Sequence, residues 1–313
     1  MEDGLVLVRV QRKDVLADGV IGLELHAVDA ALPSWEPGAH LDLHAGNGEV
    51  RQYSLCGDPG DPSCWRVAIL NVADGRGGSA WFHSELEVGD QLKVGAPRNN
   101  FALRAASEYL FVAGGIGITP ILPMIRAAEL AGIPWRLVYG GRTRTSMAFL
   151  DLLAGFGEKV EVVPQDERGV IDLAGSLGVP VPGRRVYCCG PEPLLVAIET
   201  LMVERVAETL HVERFRASAD LDDPGTHFEV EVASSGRRVG VEPGQSIIDA
   251  LDRAGVQVDF SCREGTCGTC ETGVLGGVPE HRDSVLSADE QAVNDCMMIC
   301  VSRCRRGPLI LDL

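Results

Sequence analysis

The sequence predicts a multidomain chain in three folded parts: an antiparallel β-barrel, an α/β domain with a parallel sheet, and a small α+β domain. Three observations predict this fold class. The first hundred of the 313 residues alternate in short apolar runs, the middle repeats a pattern of strand, loop and helix, and the last part holds a dense cysteine motif. A chain of this length suits two or three domains of roughly 100 to 200 residues each.

The β-barrel is predicted by six short runs with turn residues between them, which is typical of antiparallel strands. Within the fourth run, Arg51 and Tyr53 share one face because side chains alternate along a strand, and Ser54 points to the other face. A glycine-rich stretch, residues 71–79, follows the fifth run and leads into a predicted helix at 80–86. The six runs are residues 5–10, 20–28, 40–44, 50–55, 65–71 and 91–94.

A glycine loop marks the start of the α/β domain. The buried run 109–113 leads into glycines at 114, 115 and 117, and a helix is predicted to follow. Thr119 is typical of an N-cap, Pro120 of the first helical position, and Gly132 of the residue after a helix. Because free N–H groups point out of such a turn, it can hold an anionic pyrophosphate.

Two further strands complete the repeat and predict a parallel sheet. The first covers residues 135–139 and ends in a loop with Arg142 and Arg144. The second covers residues 184–188 and ends in Cys189-Gly190-Pro191, before a helix that we predict to run to about residue 210. Ligands of such sheets bind at the carboxyl ends of the strands, where these loops lie.

The cysteines predict a metal cluster. Cys262, Cys267 and Cys270 form a C-x4-C-x2-C loop, and Cys300 follows after 29 intervening residues. This is the plant-type spacing of a 2Fe-2S cluster, whereas structural zinc sites favour C-x2-C pairs. Cys296 and Cys304 flank Cys300, and the spacing favours Cys300 as the fourth ligand.

The segment around the cysteines predicts a small independent domain. Residues 227–233 and 237–241 have the pattern of a hairpin. A helix should follow, with Ser246 as its N-cap, Asp249 three residues later, and Gly255 at its C-terminal stop.

The charge of the chain excludes some classes of partner. It has 45 acidic and 28 basic side chains, a formal net charge of −17, and no block rich in Lys or Arg. Because this field repels phosphate backbones and anionic lipids, we expect no nucleic acid and no membrane as a partner. The longest uncharged stretch, residues 109–125, is shorter than a membrane helix. The first residues lack the features of an export signal, so we expect a cytoplasmic protein.

Together these motifs resemble those of one family. The chain resembles the phthalate dioxygenase reductase and vanillate demethylase reductase family in the order of its three parts. The resemblance extends to the motif Arg51-Gln-Tyr-Ser54, the stretch 75–79, the glycine loop, the Cys-Gly-Pro turn and the cysteine spacing. This family lies within the ferredoxin-NADP reductase superfamily. The resemblance implies an FMN-binding β-barrel at 1–104, an NAD(P)H-binding α/β domain at 105–217, a linker at 218–226 and a plant-type ferredoxin domain at 227–313.

The resemblance also implies an oxidoreductase that passes electrons from NAD(P)H through FMN and a 2Fe-2S cluster to an oxygenase. The cofactors carry this chemistry, so we expect no residue to act as a general acid or base. Thr119 and Cys189 are expected beside the nicotinamide, and Phe215 is expected to cover the flavin.

The implied site residues fall into three groups. Those for FMN come from the barrel, the start of its helix and two later positions: Arg51, Tyr53, Ser54, Asn71, Arg76, Gly77, Gly78, Ser79, Thr119 and Phe215. Those for NAD(P)H follow the parallel strands: Gly114, Gly115, Gly117, Arg142, Arg144, Cys189, Gly190 and Pro191. The cluster ligands are Cys262, Cys267, Cys270 and Cys300.

Some choices stay open at this point. Arg142 and Arg144 suit a 2′-phosphate and favour NADPH over NADH. The partner is expected to be a Rieske-type aromatic oxygenase or demethylase, or alternatively a cytochrome P450. Residues 227–313 hold 14 acidic and 8 basic side chains, which predicts an acidic docking face on what we expect to be a monomer. A hypothesis of another class is a zinc-stabilised, non-catalytic binding module.

Overall fold

The computed structural model describes residues 5–29, 31–72, 77–215 and 223–313. The chain divides into two compact units, residues 1–213 and 214–313. The first unit contains two sheets and the second contains one. Within the described ranges, no helix is both long enough and apolar enough to cross a membrane.

The first sheet is the predicted antiparallel barrel. Its strand order is β4-β3-β6-β1-β2-β5, and a bridge between Leu55 and Val67 joins the two ends. Its core is apolar and includes the fully buried Leu23, Leu41 and Trp65. The strands are β1 (Leu5–Ala17), β2 (Val20–Ala27), β3 (His40–His44), β4 (Val50–Ser54), β5 (Trp65–Leu70) and β6 (Gln91–Gly95), and helix α1 (Gly78–Ser84) lies between β5 and β6.

The second sheet is parallel, as predicted, with the strand order β11-β10-β7-β8-β9. Its strands are β7 (Glu108–Gly114), β8 (Trp135–Gly141), β9 (Val160–Pro164), β10 (Arg184–Cys189) and β11 (Thr209–Glu213). Its helices are α2 (Ile118–Ala131), α3 (Leu150–Ala154), α4 (Gln165–Arg168), α5 (Leu173–Leu177) and α6 (Glu192–Met202).

Two local predictions in this sheet are wrong. Helix α6 ends at Met202 instead of about residue 210, because residues 209–213 form β11 and pair with β10. Thr119 is not the N-cap of α2, since the helix already begins at Ile118 after a single 3-10 turn. The Thr119 hydroxyl instead donates a hydrogen bond to the Ile116 carbonyl at 2.9 Å. The predicted end of α2 is confirmed, with Gly132 in the left-handed conformation at φ 64°.

The second unit is built on a mixed five-stranded sheet with the order β13-β12-β16-β14-β15. The predicted hairpin is present, and the Ser246 side chain accepts a hydrogen bond from the Asp249 N–H as the predicted N-cap. The elements are β12 (Phe228–Val232), β13 (Arg237–Val241), α7 (Ile247–Arg253), β14 (Glu271–Glu280), α8 (Ala288–Val293), β15 (Cys296–Met298) and β16 (Arg303–Leu311).

Candidate functional site

The predicted flavin residues meet where β4 passes the start of α1. Arg51 lies so close to Gly78 that a Cβ atom on the glycine would be 2.8 Å from the Arg51 Cγ. The Ser79 hydroxyl accepts a hydrogen bond from the Val72 N–H at 3.1 Å, which ties the end of β5 to the helix. Gly77 has φ 87°, a conformation that favours glycine. A guanidinium beside glycine N–H groups fits a phosphate group such as that of FMN.

The other residues of β4 lie beside this corner. The Tyr53 ring packs edge to face on Phe82 of α1, with 5.6 Å between the ring centroids, and Ser54 is buried. Asn71 follows β5, and its backbone N–H donates to the Gly19 carbonyl. Arg76 lies outside the described residues. The structure therefore brings Arg51, Tyr53, Gly78 and Ser79 to one end of the barrel.

The glycine loop and the Cys-Gly-Pro turn are in direct contact. A Cβ atom on Gly117 would lie 2.2 Å from the Cys189 carbonyl oxygen, and one on Gly114 would lie 2.6 Å from the Pro191 Cδ. A Cβ atom on Gly190 would lie 3.0 Å from the Gly114 backbone. Only glycine fits at these positions, because a side chain would push the two loops apart. The contact places both loops at the carboxyl ends of adjacent strands β7 and β10, where nucleotides bind in such sheets.

A carboxyl group that the sequence reasoning missed lies next to Cys189. Glu213 ends β11 directly opposite Cys189, and the Cys189 Sγ lies 3.9 Å from its Oε2. Burial raises the pKa of Glu213 to about 8 and the pKa of the Cys189 thiol well above its usual value. The available signal was the alternation of apolar residues at 209–213, which the predicted long helix concealed.

The two arginines predicted for a 2′-phosphate differ in their surroundings. Arg144 forms a two-pronged ion pair with Glu167, with its Nε and Nη2 at 3.1 and 2.8 Å from the two carboxylate oxygens. The Arg142 carbonyl accepts a hydrogen bond from the Asp166 N–H at 3.2 Å. The loop after β8 and the short helix α4 after β9 therefore meet at the carboxyl edge of the sheet. Sequence reasoning had not singled out Glu167.

Thr119 and Phe215 have defined positions in the structure, but nothing tests their predicted contacts with bound ligands. Thr119 is buried in the first turn of α2, with 2% of its surface exposed. Phe215 belongs to the second unit and is partly exposed. Their contacts with the nicotinamide and the flavin stay predictions.

The four predicted cluster ligands converge in the second unit. Cys262, Cys267, Cys270 and Cys300 are all buried, with 3, 3, 4 and 7% of their surfaces exposed. Hydrogen bonds link Cys262 to Cys267 and Cys300, and Cys270 to Cys300. This network lowers the pKa of Cys262 and raises that of Cys300. Four adjacent thiols are the donor set that a 2Fe-2S cluster needs.

The backbone around these cysteines is shaped to donate hydrogen bonds to sulfur. The Glu264 N–H points at the Cys262 Sγ at 3.3 Å, and the Thr269 N–H at the Cys267 Sγ at 3.4 Å. Gly265 and Gly268 both have positive φ, and a Cβ atom on Gly265 would lie 2.6 Å from a methyl group of Val301. Such N–H groups offset the negative charge of a bound cluster.

Comparison with known proteins agrees with this arrangement. Residues 230–305 match the family model of the 2Fe-2S iron-sulfur cluster binding domain. The chain is 42% identical over 302 residues to the phenoxybenzoate dioxygenase subunit beta of Ectopseudomonas oleovorans, which covers 95% of this chain and 94% of that one. The solved structure of phthalate dioxygenase reductase matches with a TM-score of 0.76 and 34% identity, over 100% of this chain and 99% of that one. This chain belongs to the phthalate dioxygenase reductase family.

Membership confirms the predicted family, fold class and cofactors. The chain is an NAD(P)H-dependent oxidoreductase that uses FMN and a 2Fe-2S cluster as the reductase component of an oxygenase system. It also matches an intact type IV self-sufficient cytochrome P450 monooxygenase, with a TM-score of 0.90 and 42% identity over 99% of this chain. There it spans only 41% of the P450 chain.

Proposed function

We propose that the chain delivers electrons from NADPH to a Rieske-type aromatic oxygenase or demethylase. The observation that carries this proposal is the contact between the glycine loop and the Cys-Gly-Pro turn, since two touching loops at the carboxyl ends of β7 and β10 support a nucleotide site in the unit that also holds the barrel. The four convergent thiols of the second unit provide the site for the one-electron relay.

When bound, FMN would supply the change from two-electron to one-electron transfer, and a 2Fe-2S cluster would supply one-electron relay to the partner. The protein's part is to bind and orient. Arg51, which lies against Gly78, would hold the FMN phosphate together with the backbone of Gly77, Gly78 and Ser79, and Tyr53 would pack against the flavin ring. Ser54 offers a hydroxyl at the ring edge.

The nucleotide is oriented by the two loops in contact. The glycine loop would hold the pyrophosphate at the start of α2, while Cys189, Gly190 and Pro191, which lie against that loop, would border the nicotinamide. Glu213 keeps its proton at neutral pH, because its pKa is raised to about 8. No full negative charge therefore lies beside the Cys189 thiol, where it would oppose the approach of an anionic nucleotide.

NADPH is the proposed donor because Arg142 and Arg144 follow β8, where the adenosine ribose binds in sheets of this kind. A 2′-phosphate must compete with Glu167 for Arg144. We therefore expect both arginines to contribute to the preference for NADPH over NADH, and Glu167 to weaken that preference.

A second candidate partner is a cytochrome P450. The observation that favours it is the match of this whole chain to part of a self-sufficient P450. In either case we propose a monomer that works in the cytoplasm, where thiols stay available for a cluster.

An anaerobic titration of the purified protein with NADPH, and separately with NADH, tests the electron path. We expect flavin and iron-sulfur absorption bands that both bleach, and half-bleaching at a lower concentration of NADPH. A colourless protein with bound zinc would contradict the proposal and support the non-catalytic binding module.

A comparison of acceptors tests the partner. The reductase should support faster NADPH oxidation with a Rieske-type oxygenase than with a P450, and the rate should fall as salt screens the acidic face of residues 227–313. A faster rate with the P450 would favour the second candidate, and a rate independent of salt would count against acidic docking.

A further inference from the structure

A cluster of possible metal ligands lies on the barrel, outside every cofactor site described above. Glu24 and His26 are two residues apart on β2, so they share one face of the sheet. Leu25 pairs with Trp65 of β5, which brings Cys64, just before β5, alongside His26. One ligand atom from each of Glu24, His26 and Cys64 lies within 4.8 Å of the other two.

The surroundings of this cluster are polar and partly buried. Glu24 forms ion pairs with Arg66 of β5 and, at 3.9 Å, with Arg12 of β1. Burial raises the pKa of Cys64 and hydrogen bonds from Ser63 lower the pKa of Asp61, with smaller contributions from the charge of Asp61 on the thiol and of His26 on the carboxylate. A second carboxylate therefore adds negative charge beside the thiol and the imidazole.

We propose that Glu24, His26 and Cys64 bind a zinc ion. One sulfur, one imidazole nitrogen and one carboxylate oxygen are a donor set that Zn²⁺ accepts, and three protein ligands leave a fourth position for water. Binding releases the proton of the Cys64 thiol to solvent, because the thiolate is the ligand. Arg66 shares the Glu24 carboxylate and therefore lowers the affinity for the cation.

Zinc at this place would fix one end of the loop between β4 and β5. The same loop carries Asp58, which forms an ion pair with Arg126 of α2. The loop already contacts the α/β part of the unit through Asp58, and the metal would add a second attachment, to the barrel strand β2.

Equilibrium dialysis of the holoprotein against Zn²⁺, with zinc and iron measured by mass spectrometry, tests the site. We expect wild-type protein to bind one zinc ion more than Cys64→Ser or His26→Asn. Cys304→Ser is the matched control, since it removes a partly buried thiol far from the three ligands in sequence, and it should bind zinc as wild type does. Equal flavin and iron contents in all variants show that they fold.

Two measurements identify the ligands. Zinc-edge X-ray absorption should show a sulfur at about 2.3 Å and nitrogen or oxygen at about 2.0 to 2.1 Å, and the sulfur should be absent from Cys64→Ser. Arg66→Gln should bind zinc about tenfold more tightly, because it removes a competing positive charge. Zinc binding at the wild-type level in both Cys64→Ser and His26→Asn, or a zinc edge without sulfur, would overturn the proposal.

Discussion

In the cluster loop, three of the four ligands lie within residues 262–270, whereas the nucleotide site joins Gly117 to a turn that begins at Cys189. The cluster loop is held by backbone N–H groups of its own short segment. The nucleotide site depends on two loops that are distant in sequence and touch through glycines. A local site tolerates changes elsewhere in the chain, while a site assembled from distant segments depends on close contacts that any added atom disturbs.

The largest expected effect comes from removing one ligand of the local site. Cys300→Ser should abolish the iron-sulfur absorbance, because serine does not replace the thiolate that holds the second iron. Reduction of the flavin by NADPH should stay within about twofold of wild type, since the nucleotide loops belong to the first unit. Absorption spectra and anaerobic stopped-flow kinetics check both statements.

Cys304→Ser is the control for this variant. Cys304 lies in β16, four residues after Cys300, and its Sγ donates a hydrogen bond to the Gly307 carbonyl, so its loss should leave the cluster intact. If Cys304→Ser lost the cluster and Cys300→Ser kept it, the ligand assignment would be wrong.

The next largest effect should come from the distant site. Gly117→Ala places a Cβ atom 2.2 Å from the Cys189 carbonyl, so one of the two loops must move. A displacement of about 1 Å at reacting groups can cost about 100-fold in rate. We expect flavin reduction by NADPH to fall by about that factor, while chemical reduction by dithionite stays normal.

Gly155→Ala is a suitable control for this variant. Gly155 has a negative φ of −61°, and its nearest neighbour to an added Cβ is at 3.4 Å, so alanine should be tolerated. A Gly117→Ala protein as fast as Gly155→Ala would show that the contact between the loops does not position the nucleotide.

The same contrast explains what the sequence could predict. The caps of local elements followed from neighbouring residues, as at Ser246 and Gly132. Thr119 failed as a cap because the 3-10 turn Gly115–Gly117, which packs against Cys189 from a distant part of the chain, leads directly into the helix at Ile118. β11 and its Glu213 were hidden for a related reason: the strand exists through pairing with β10, and its own sequence is too short to distinguish from a helix end.

A smaller effect is expected from the carboxyl group of Glu213, which links β11 to Cys189 of β10. The pKa of Glu213 is raised from its usual 4.5 to about 8, so the folded protein binds this proton more tightly than the unfolded chain. Its contribution to stability is complete below about pH 4.5 and is lost as the pH rises through 8. In Glu213→Gln, stability should depend less on pH between 5 and 8. The melting temperature of this variant should exceed that of wild type most at pH 8 and least at pH 5.

Thermal unfolding, monitored by flavin fluorescence, should measure this difference in melting temperature. In a unit of this size, about 1 kcal/mol corresponds to about 2 to 4 °C. Glu204→Gln serves as the control, because Glu204 is exposed and precedes β11. Its melting temperature should follow the wild-type dependence on pH. Parallel pH profiles for wild type and Glu213→Gln would show that this carboxyl group titrates normally.

The smallest effect concerns the exposed ion pair between Arg144, after β8, and Glu167 of helix α4. Glu167→Gln frees Arg144 from its two-pronged partner and should lower the KM for NADPH, with little change for NADH. Because solvent screens an exposed ion pair, we expect only about a two- to fivefold change in affinity. Binding of 2′,5′-ADP, measured by calorimetry, should tighten by the same factor, whereas binding of 5′-AMP should not.

Glu161→Gln separates this effect from a general loss of negative charge. Glu161 lies on β9 and pairs with Arg168 at 2.8 Å, so its removal changes the net charge equally without freeing Arg144. If both variants tightened 2′,5′-ADP alike, the long-range field would control nucleotide binding. If only Glu167→Gln did, the choice between NADPH and NADH would depend on one contact, between Arg144 and helix α4, that no local pattern in the sequence encodes.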